Sequence, residues 1–400
     1  MQPIACKRCL YTTAHPFGLT LNEDGICSGC QTHAEKTNLD WGERRKILSQ
    51  KIPSLLQKKK KRDYDCIVPV RGTPEYFKVL DILINELGLN PLVVTYNSQF
   101  NSEVGIRNLD LLRDVFDVDL FHYTTNPFTY KKLIRETLSS FRSIRWPFIA
   151  GETQFPVQVA IEKKIPLIVW PLHQPTEQTG VHSYCEEAEM TRRGRHQYDL
   201  MQREPADLVT VESLLSKNDI EDLEYPENAL LSRVGIRGIY LSNYYPWDSR
   251  SYSEEMILKY GALCALNRRT FDTYDRIDDC TYMTVHDSLK QSNLGYSRVT
   301  DSLCREIRFG RISRGNAVSL EKYYQSQQIG PEIETFCHWL GITTVGFAWL
   351  RQQIGKQNSF QTTDLSLSSE ESAFISSFKV NAPPVWETHC YITYGKGLSV

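Results

Sequence analysis

Residues 64–123 read YDCIVPVRGTPEYFKVLDILINELGLNPLVVTYNSQFNSEVGIRNLDLLRDVFDVDLFHY. Three short apolar runs, CIVPV, PLVVTY and DLFHY, have the length of buried strands, and the segments between them repeat apolar residues at helical spacing. Strands that alternate with helices pair in parallel through right-handed crossovers. This stretch therefore predicts a βαβαβ unit, and with it an α/β fold built on a parallel sheet.

The alternation continues beyond residue 123. A helix is expected at KKLIRETLSSF (131–141) and a further buried strand at 166–170, so the α/β domain is predicted to span 63–210. Ligands of such sheets bind outside the carboxyl ends of the strands. The turns after Val70, Tyr96 and Trp170 are therefore the expected positions of a site.

Four cysteines form two CxxC pairs near the start of the chain. Cys6 and Cys9 are separated from Cys27 and Cys30 by 17 residues, which is the spacing of a four-cysteine zinc site. Four thiolates complete a tetrahedral shell, so a structural Zn²⁺ in a zinc ribbon at 1–38 is expected. The alternatives are four ordinary buried cysteines or a redox pair. The other cysteines are scattered and the total of 11 is odd, which favours reduced thiols over a disulfide framework.

The remaining regions have weaker patterns. A helical linker at 39–62 is expected to be capped near Asp40 and interrupted at Pro53, and its basic run 58–62 is either a phosphate-binding or localisation patch or a solvated linker. Residues 211–330 are predicted to be mainly helical. Residues 331–400 form an extension with one more helical unit, a flexible Ser/Thr-rich stretch at 357–374 and an edge strand near the end.

Composition and charge exclude several classes of protein. The formal net charge of −2 provides no general attraction to nucleic acid or anionic lipid. The first residues lack the apolar run of a signal peptide, and no segment reaches the roughly 18 apolar residues that a membrane span needs. A cytoplasmic protein without a membrane span is therefore expected, and nucleic acid is not an expected partner.

A series of longer motifs follows the first cysteine pair. In chain order they are DWGERR (40–45), YDCIVPV (64–70), GLNPLVVTYN (88–97), the stretch 151–159, RGIYLSNYYPWDS (237–249) and FDTYDRID (271–278). Together they resemble the N-acetyl sugar amidotransferase family, from about residue 5 to about residue 325. The resemblance implies an ATP-pyrophosphatase domain of the PP-loop, HUP-like type, in an enzyme of surface-polysaccharide (lipopolysaccharide O-antigen) biosynthesis.

The resemblance also implies a reaction and its partners. Such an enzyme activates the amide oxygen of a nucleotide-linked N-acetyl sugar with ATP and Mg²⁺, and ammonia from a glutaminase subunit then converts the acetamido group to an acetamidino group. A homo-oligomer is compatible with this role.

The family's pyrophosphate loop, Ser-Gly-Gly-Lys-Asp-Ser, corresponds here to RGTPEY at 71–76, where only Gly72 is retained. Such a loop binds phosphate through free backbone N–H groups, and Pro74 removes one of them. Arg71 can bind a phosphate or a carboxylate, and Glu75 can take an acidic metal-binding role. The changes weaken the case for ATP and Mg²⁺ at this loop.

One further residue completes the candidate catalytic set, which is Arg71, Gly72, Glu75 and His173. His173 follows the predicted strand at 166–170, where the family carries a different polar segment. Its position at the carboxyl end of a strand favours a role in a site, and the alternative is a loop histidine that only makes hydrogen bonds.

The helical region contains the candidate substrate-binding residues. They are Asp272, Tyr274, Asp275, His286, Asp287, Lys290, Arg298, Asp301, Arg305 and Arg308. On a helix, Arg298, Arg305 and Arg308 share one face with Asp301. Asp301 is therefore expected to orient these arginines. Arginine binds phosphate with two parallel hydrogen bonds, so this face suits a nucleotide-linked sugar; the alternative is a surface ion-pair stripe.

Three hypotheses about function follow. The first is an amidotransferase with an altered nucleotide loop, and the second is a catalytically inactive paralogue that binds a nucleotide sugar or a partner. The third is an RNA-modifying relative, because some pyrophosphatase-type tRNA thiolases also carry CxxC ribbons; the near-neutral charge argues against it.

Overall fold

A computed structural model describes residues 3–56, 64–97, 99–357, 365–378, 391–392 and 398–399. The strands are β1 (Cys66–Pro69), β2 (Pro91–Tyr96), β3 (Asn101–Ser102), β4 (Leu120–Tyr123), β5 (Leu167–Trp170), β6 (Arg237–Tyr240), β7 (Tyr391–Ile392) and β8 (Leu398–Ser399). The α-helices are α1 (Ser28–Glu35), α2 (Trp41–Leu55), α3 (Glu75–Leu80), α4 (Glu103–Phe116), α5 (Pro127–Ser140), α6 (Trp146–Lys163), α7 (Gln174–Thr179), α8 (Arg192–Gly194), α9 (Lys217–Ile220), α10 (Asn228–Val234), α11 (Ser249–Tyr260), α12 (Cys280–Leu294), α13 (Arg298–Arg308), α14 (Arg314–Ser326), α15 (Gly330–Leu340), α16 (Thr344–Gln357) and α17 (Ser369–Ser377).

The main sheet is parallel and has the order β4-β2-β1-β5-β6. The predicted α/β class and its parallel sheet are therefore confirmed. The sheet continues past residue 210 because β6 pairs with β5. The division of the chain at 210 stays a prediction, and any α/β unit must include β6.

The strand sequences reflect burial on both faces of the sheet. Every residue of β1 and β2 is buried, so both strands are apolar without alternation. Neighbouring residues nevertheless face opposite layers: Val68 packs with Leu80 and Leu112, whereas Ile67 packs with Val157. The sheet is therefore covered by α3, α4 and α11 on one face and by α6 on the other.

The helical region packs directly against the α/β layer. One apolar cluster joins Tyr130 of α5 and Trp146 of α6 to Tyr282 of α12, Phe336 of α15 and Phe347 of α16. This shared core fixes α12 and the following helices beside the carboxyl edge of the sheet.

Helix α2 begins where the sequence indicates. The side chain of Asp40 accepts a hydrogen bond from the backbone N–H of Glu43 at 3.0 Å, which is an N-cap. The predicted interruption at Pro53 is wrong, since α2 runs through this residue to Leu55. The basic run 58–62 lies outside the described residues.

The described part of the C-terminal extension includes a helix that its composition does not indicate. Helix α17 begins within the predicted flexible stretch and packs against α14, where Phe374 and Ile375 are partly buried. Lys322 and Glu371 add an ion pair at 2.9 Å. The edge strand expected near the end corresponds to β7 and β8; β7 pairs antiparallel with β3, and β8 pairs antiparallel with β7, in a small separate sheet.

The membrane prediction can be compared with the helices directly. Among the described residues, no helix combines the length and apolar character needed to cross a bilayer.

Candidate functional site

A cavity of about 490 Å³ lies at the carboxyl ends of β1 and β5. Its lining includes Arg71 and Glu75 after β1, His173 after β5, and Tyr240 at the end of β6. The strand order reverses between β1 and β5, which is the position where open α/β sheets bind ligands. Two of the three predicted turns contribute to the lining; among the described residues, the turn after Tyr96 does not.

Most of the residues predicted for the site meet at this cavity. The lining includes Arg71, Glu75, His173, Asp275, His286, Asp287, Lys290, Arg298, Asp301, Arg305 and Arg308. Gly72, Asp272 and Tyr274 do not line it. The catalytic and substrate-binding candidates, which are far apart in sequence, therefore face one space.

The loop after β1 does not present a phosphate cradle. The backbone N–H groups of Thr73, Tyr76 and Phe77 donate to carbonyl oxygens within the same turn, at 2.8, 3.2 and 3.1 Å. Pro74 has no N–H group to offer. The side chain of Arg71 is also engaged, because its Nε and Nη2 each donate to Asp278 at 2.9 Å. The N–H groups of Thr73, Tyr76 and Phe77 are thus used within the turn.

Gly72 is needed for packing between the loop and α4. A β-carbon at Gly72 would lie 2.1 Å from the carbonyl oxygen of Gly105. Asn108 then fastens the same contact by donating from Nδ2 to the Gly72 carbonyl at 3.1 Å. The retained glycine therefore allows two backbones to approach each other.

Glu75 faces the cavity but has protein partners. Its Oε1 accepts hydrogen bonds from Trp247 Nε1 at 2.6 Å and from Ser249 Oγ at 2.5 Å. Burial raises the pKa of Glu75, and these two donors oppose the shift. Trp247 and Ser249 belong to the motif 237–249, which therefore supports the cavity wall.

His173 is held in place by a neighbouring hydroxyl group. Its Nδ1 lies 2.8 Å from Thr176 Oγ1, and the ring packs against His182 and Tyr240. Burial lowers the pKa of His173 to about 4, with a smaller contribution from His182. The imidazole is neutral at pH 7, so it can exchange hydrogen bonds with a ligand but does not act as a cation there.

Asp272 organises the loop before α12. Its carboxylate accepts the backbone N–H groups of Tyr274 at 3.1 Å and Asp275 at 2.9 Å, and Arg305 donates to it at 3.2 Å. Burial raises the pKa of Asp275, but the charges of Arg305 and Arg298 outweigh this effect and the net pKa is lowered. Asp272 and Tyr274 shape the site from behind, and Asp275 faces it as a carboxylate.

The prediction that Asp301 orients the arginines of its own helix is wrong. Tyr11 donates to Asp301 at 2.7 Å, and Lys290 of α12 pairs with the same carboxylate. The side chains that bind Asp301 thus come from the N-terminal ribbon and from α12, and not from α13. Asp287 of α12 also binds residues outside its own helix. It accepts hydrogen bonds from Arg269 Nε at 2.9 Å and from the backbone N–H of Arg298, the first residue of α13.

The four cysteines of the N-terminal ribbon converge. Their sulfur atoms lie within 4.8 Å of one another and all four side chains are fully buried. Cys9 Sγ and Cys27 Sγ are 3.6 Å apart, close to the roughly 3.8 Å that four Zn–S bonds of about 2.3 Å impose. Backbone N–H groups, including that of Cys27, donate to Cys6 Sγ, as thiolates require. The site is compatible with a structural zinc ion.

Arg308 connects this ribbon to the cavity. Its guanidinium group donates to Cys30 Sγ at 3.5 Å and to Cys27 Sγ at 3.8 Å. The same group donates to the carbonyl oxygens of Glu177 at 2.6 Å and Gln178 at 2.8 Å. Because these contacts occupy its donors, Arg308 holds the cysteine site against the last turn of α7.

Several lining residues were not identified from the sequence. Tyr11 and Phe17 of the ribbon, Glu152 of α6, and Tyr198 and Asp199 all line the cavity. Asp199 ends a π-helical turn, a feature that is often found at functional sites. The sequence carries no signal for Asp199, but the aromatic residues between the two cysteine pairs could have drawn attention to Tyr11 and Phe17.

Asp199 is a carboxylate of the cavity lining with a raised pKa. Burial raises the pKa of Asp199 to about 7; Arg195 opposes the shift and Glu152 adds to it. The ordinary value in the unfolded chain is about 4. Asp199 can therefore exchange a proton near neutral pH, which suits general acid–base chemistry.

Asp199→Asn is expected to change the pH dependence of stability. Between about pH 4 and pH 7 the native state binds more protons than the unfolded state, so the free energy of unfolding falls as pH rises. Asparagine does not titrate, so the variant should lack this decrease in the free energy of unfolding. It should be more stable than wild type at pH 8 by on the order of 1–2 kcal/mol, with little gain at pH 4. Chemical denaturation at both pH values measures it, with exposed Asp114→Asn as control. A gain that is equal at both pH values would contradict the displaced titration.

Comparison with known proteins supports one part of the resemblance. Residues 268–371 match the family model described as LPS biosynthesis protein WbpG-like, C-terminal domain. No curated protein matches the chain. The matched segment supports a place in lipopolysaccharide biosynthesis and reaches past residue 325, where the motif resemblance ends. It contains all ten candidate substrate-binding residues, from Asp272 to Arg308.

Proposed function

We propose that the protein is an ATP-dependent amidotransferase of lipopolysaccharide biosynthesis, whose substrate is a nucleotide-linked N-acetyl sugar. The observation that carries this proposal is the position of the matched segment: its charged residues line the cavity at the switch point of the sheet. A lipopolysaccharide-biosynthesis domain and an α/β ligand site thus share one space. The lining combines arginines with tyrosines, which suits a phosphorylated sugar.

The proposed reaction has two steps. The acetamido oxygen of the sugar attacks the α-phosphorus of ATP, and pyrophosphate leaves with the electron pair of the broken P–O bond. Ammonia then attacks the activated imidate carbon, AMP leaves, and one proton passes from nitrogen to a base. The overall change replaces the carbonyl oxygen by NH2+, which gives the amidinium form of the acetamidino group, and consumes one ATP and one ammonia.

The residues of the cavity suggest roles for this sequence. Asp199 is the proposed base for the second step, because its pKa lies near neutrality. The neutral imidazole of His173 is a proposed hydrogen-bonding partner for the sugar. Mg²⁺ would require carboxylate oxygens, and Glu75 and Glu152 are the proposed donors near the loop.

A second candidate is a paralogue that binds a nucleotide sugar without ATP chemistry. The specific observation in its favour is the loop after β1, which uses its N–H groups internally and pairs Arg71 with Asp278. Such a protein would keep the sugar site and lose the adenylation step.

One assay separates the two candidates. Purified protein is incubated with ATP, Mg²⁺, an ammonium salt and a UDP-linked N-acetyl sugar, and AMP is followed by chromatography while the sugar is followed by mass spectrometry. The amidotransferase predicts AMP and a sugar in which NH replaces O, both dependent on all components. Sugar binding in calorimetry without any AMP would favour the paralogue. Without AMP and without sugar binding, both candidates fail.

A further inference from the structure

Arg298 is a buried arginine whose guanidinium group has no hydrogen-bond partner among the described residues. Its side chain is 4% exposed, and Nε, Nη1 and Nη2 all lack an acceptor. The residue nevertheless lines the cavity. A buried charged group without acceptors costs several kcal/mol unless a ligand completes it. The charges of Asp272 and Asp275 act on Arg298, but no described residue accepts a hydrogen bond from its guanidinium group, so the donors point to a bound anion as the acceptor.

The other buried arginines of the cavity provide a contrast. Arg71 donates to Asp278, Arg145 to Asp279, and Arg308 to sulfur and carbonyl acceptors. Arg195 donates to Thr153 and to two carbonyl oxygens. Each of these guanidinium groups has hydrogen-bond acceptors within the protein. Arg298 differs from them although it lies on the same cavity.

Arg276 adds a second positive charge to the lining of the same cavity. Its nearest carboxylate is that of Asp275, at 3.9 Å, which is longer than a hydrogen bond. Burial lowers the pKa of Arg276, and the charges of neighbouring arginines add to the shift while Asp275 opposes it. The backbone of Arg276 has a φ of +51°, a left-handed conformation that an arginine adopts at some cost. Arg276 and Arg298 thus bring two positive charges to one cavity.

The carboxylates around these arginines are already engaged. Asp272 and Asp275 face Arg305 at 3.2 and 3.4 Å. Asp287 binds Arg269 and the backbone N–H of Arg298. His286, whose Nδ1 also lacks a partner, adds a neutral donor or acceptor, because burial holds its pKa well below the ordinary value.

We propose that Arg298 and Arg276 form an anion subsite that binds the phosphate groups of a nucleotide, in place of the loop after β1. Guanidinium groups bind phosphate oxygens through two parallel hydrogen bonds, and Arg298 has its donors available. The subsite lies on the helical wall, within the matched segment. This proposal rests on the proposed function, which requires a nucleotide to enter this cavity. It places the phosphate groups at Arg298 and Arg276 and not at the loop after β1.

The test compares variants in calorimetric titrations with pyrophosphate, UDP and ATP. Arg298→Gln and Arg276→Gln remove the two charges, Arg71→Lys perturbs the loop while keeping its charge, and exposed Arg233→Gln is the matched control. We expect Arg298→Gln to weaken pyrophosphate and UDP binding at least about tenfold, and Arg276→Gln by a smaller factor. Arg233→Gln should bind within about twofold of wild type, and Arg71→Lys should lose less affinity than Arg298→Gln.

Thermal unfolding provides the second readout. Arg298→Gln removes an unsatisfied buried charge, so its unfolding temperature should equal or exceed that of wild type. A lower temperature than that of Arg233→Gln would show that the guanidinium has a structural partner and would overturn the proposal. Unchanged binding by Arg298→Gln, a larger loss in Arg71→Lys, or no binding of pyrophosphate and UDP to wild type would also overturn it.

The titrations with UDP and ATP show which nucleotide provides the phosphate groups. Together with the AMP assay, they also separate the subsite from the proposed function. If Arg298→Gln loses UDP binding and keeps ATP binding, the subsite binds the nucleotide sugar. If Arg298→Gln loses ATP binding and keeps UDP binding, the subsite binds ATP. If Arg298→Gln loses pyrophosphate binding but wild type never forms AMP, the subsite stands and the amidotransferase fails. If wild type forms AMP and Arg298→Gln binds normally, the amidotransferase stands and the subsite fails.

Discussion

Cys27→Ser is expected to remove the metal from the ribbon and to weaken ligand binding in the cavity. Serine cannot complete a four-thiolate shell, and structural zinc contributes on the order of 10 kcal/mol to the folding of such small sites. The effect should reach the cavity because the ribbon supplies Tyr11 and Phe17 to its lining. Arg308 would also lose a sulfur acceptor, although it would still donate to the carbonyl oxygens in the last turn of α7.

Metal analysis, thermal unfolding and sugar titration measure this effect together. Wild type should contain one zinc per chain, and Cys27→Ser little or none, with binding weaker by about tenfold or more. Cys185→Ser is the matched control, because this cysteine is exposed. Full metal content in Cys27→Ser, or full binding without metal, would show that the ribbon is independent of the cavity.

Gly72→Ala is expected to destabilise the protein by on the order of 3 kcal/mol, as overpacking of a closely packed core does. The new methyl group would lie 2.1 Å from the Gly105 carbonyl oxygen and 2.6 Å from its Cα, and both are backbone atoms that cannot rotate away. Gly105 cannot yield easily, since a β-carbon built on it would lie 2.6 Å from the Cα of Asp278.

The matched control for this change is Gly315→Ala, where the methyl group meets nothing within 4 Å in α14. That change should leave stability equal or raise it by up to about 1 kcal/mol, because alanine favours helix. Urea denaturation of both variants gives the comparison. If Gly72→Ala kept full stability and lost only ATP binding, the glycine would serve phosphate approach and not packing.

The sequence predicted the parallel sheet because both faces of β1 and β2 are buried, which makes their apolar runs continuous. It did not predict the position of β6, since this strand begins with the exposed Arg237 and buries only Gly238 and Ile239. Helix α17 was missed for a related reason: three apolar residues among serines bury surface only because α14 is present. Short elements depend on their neighbours more than on their own composition.

The site shows the same distinction. Spacing alone identified Cys6, Cys9, Cys27 and Cys30, because local knuckles bring the sulfurs together. The pairing of Arg71 with Asp278 joins residues 207 positions apart, and no local pattern indicates it. The partners of Asp301, and the burial that displaces the pKa of Asp199, likewise come from elements that meet only in the fold.

The most direct test of a nucleotide-sugar site in this cavity is a crystal structure of the protein with a UDP-linked N-acetyl sugar. We predict the sugar nucleotide in the cavity at the ends of β1 and β5, with diphosphate oxygens within hydrogen-bonding distance of Arg298. Diphosphate bound to the N–H groups of the loop 71–76, or a ligand outside the cavity, would contradict this prediction.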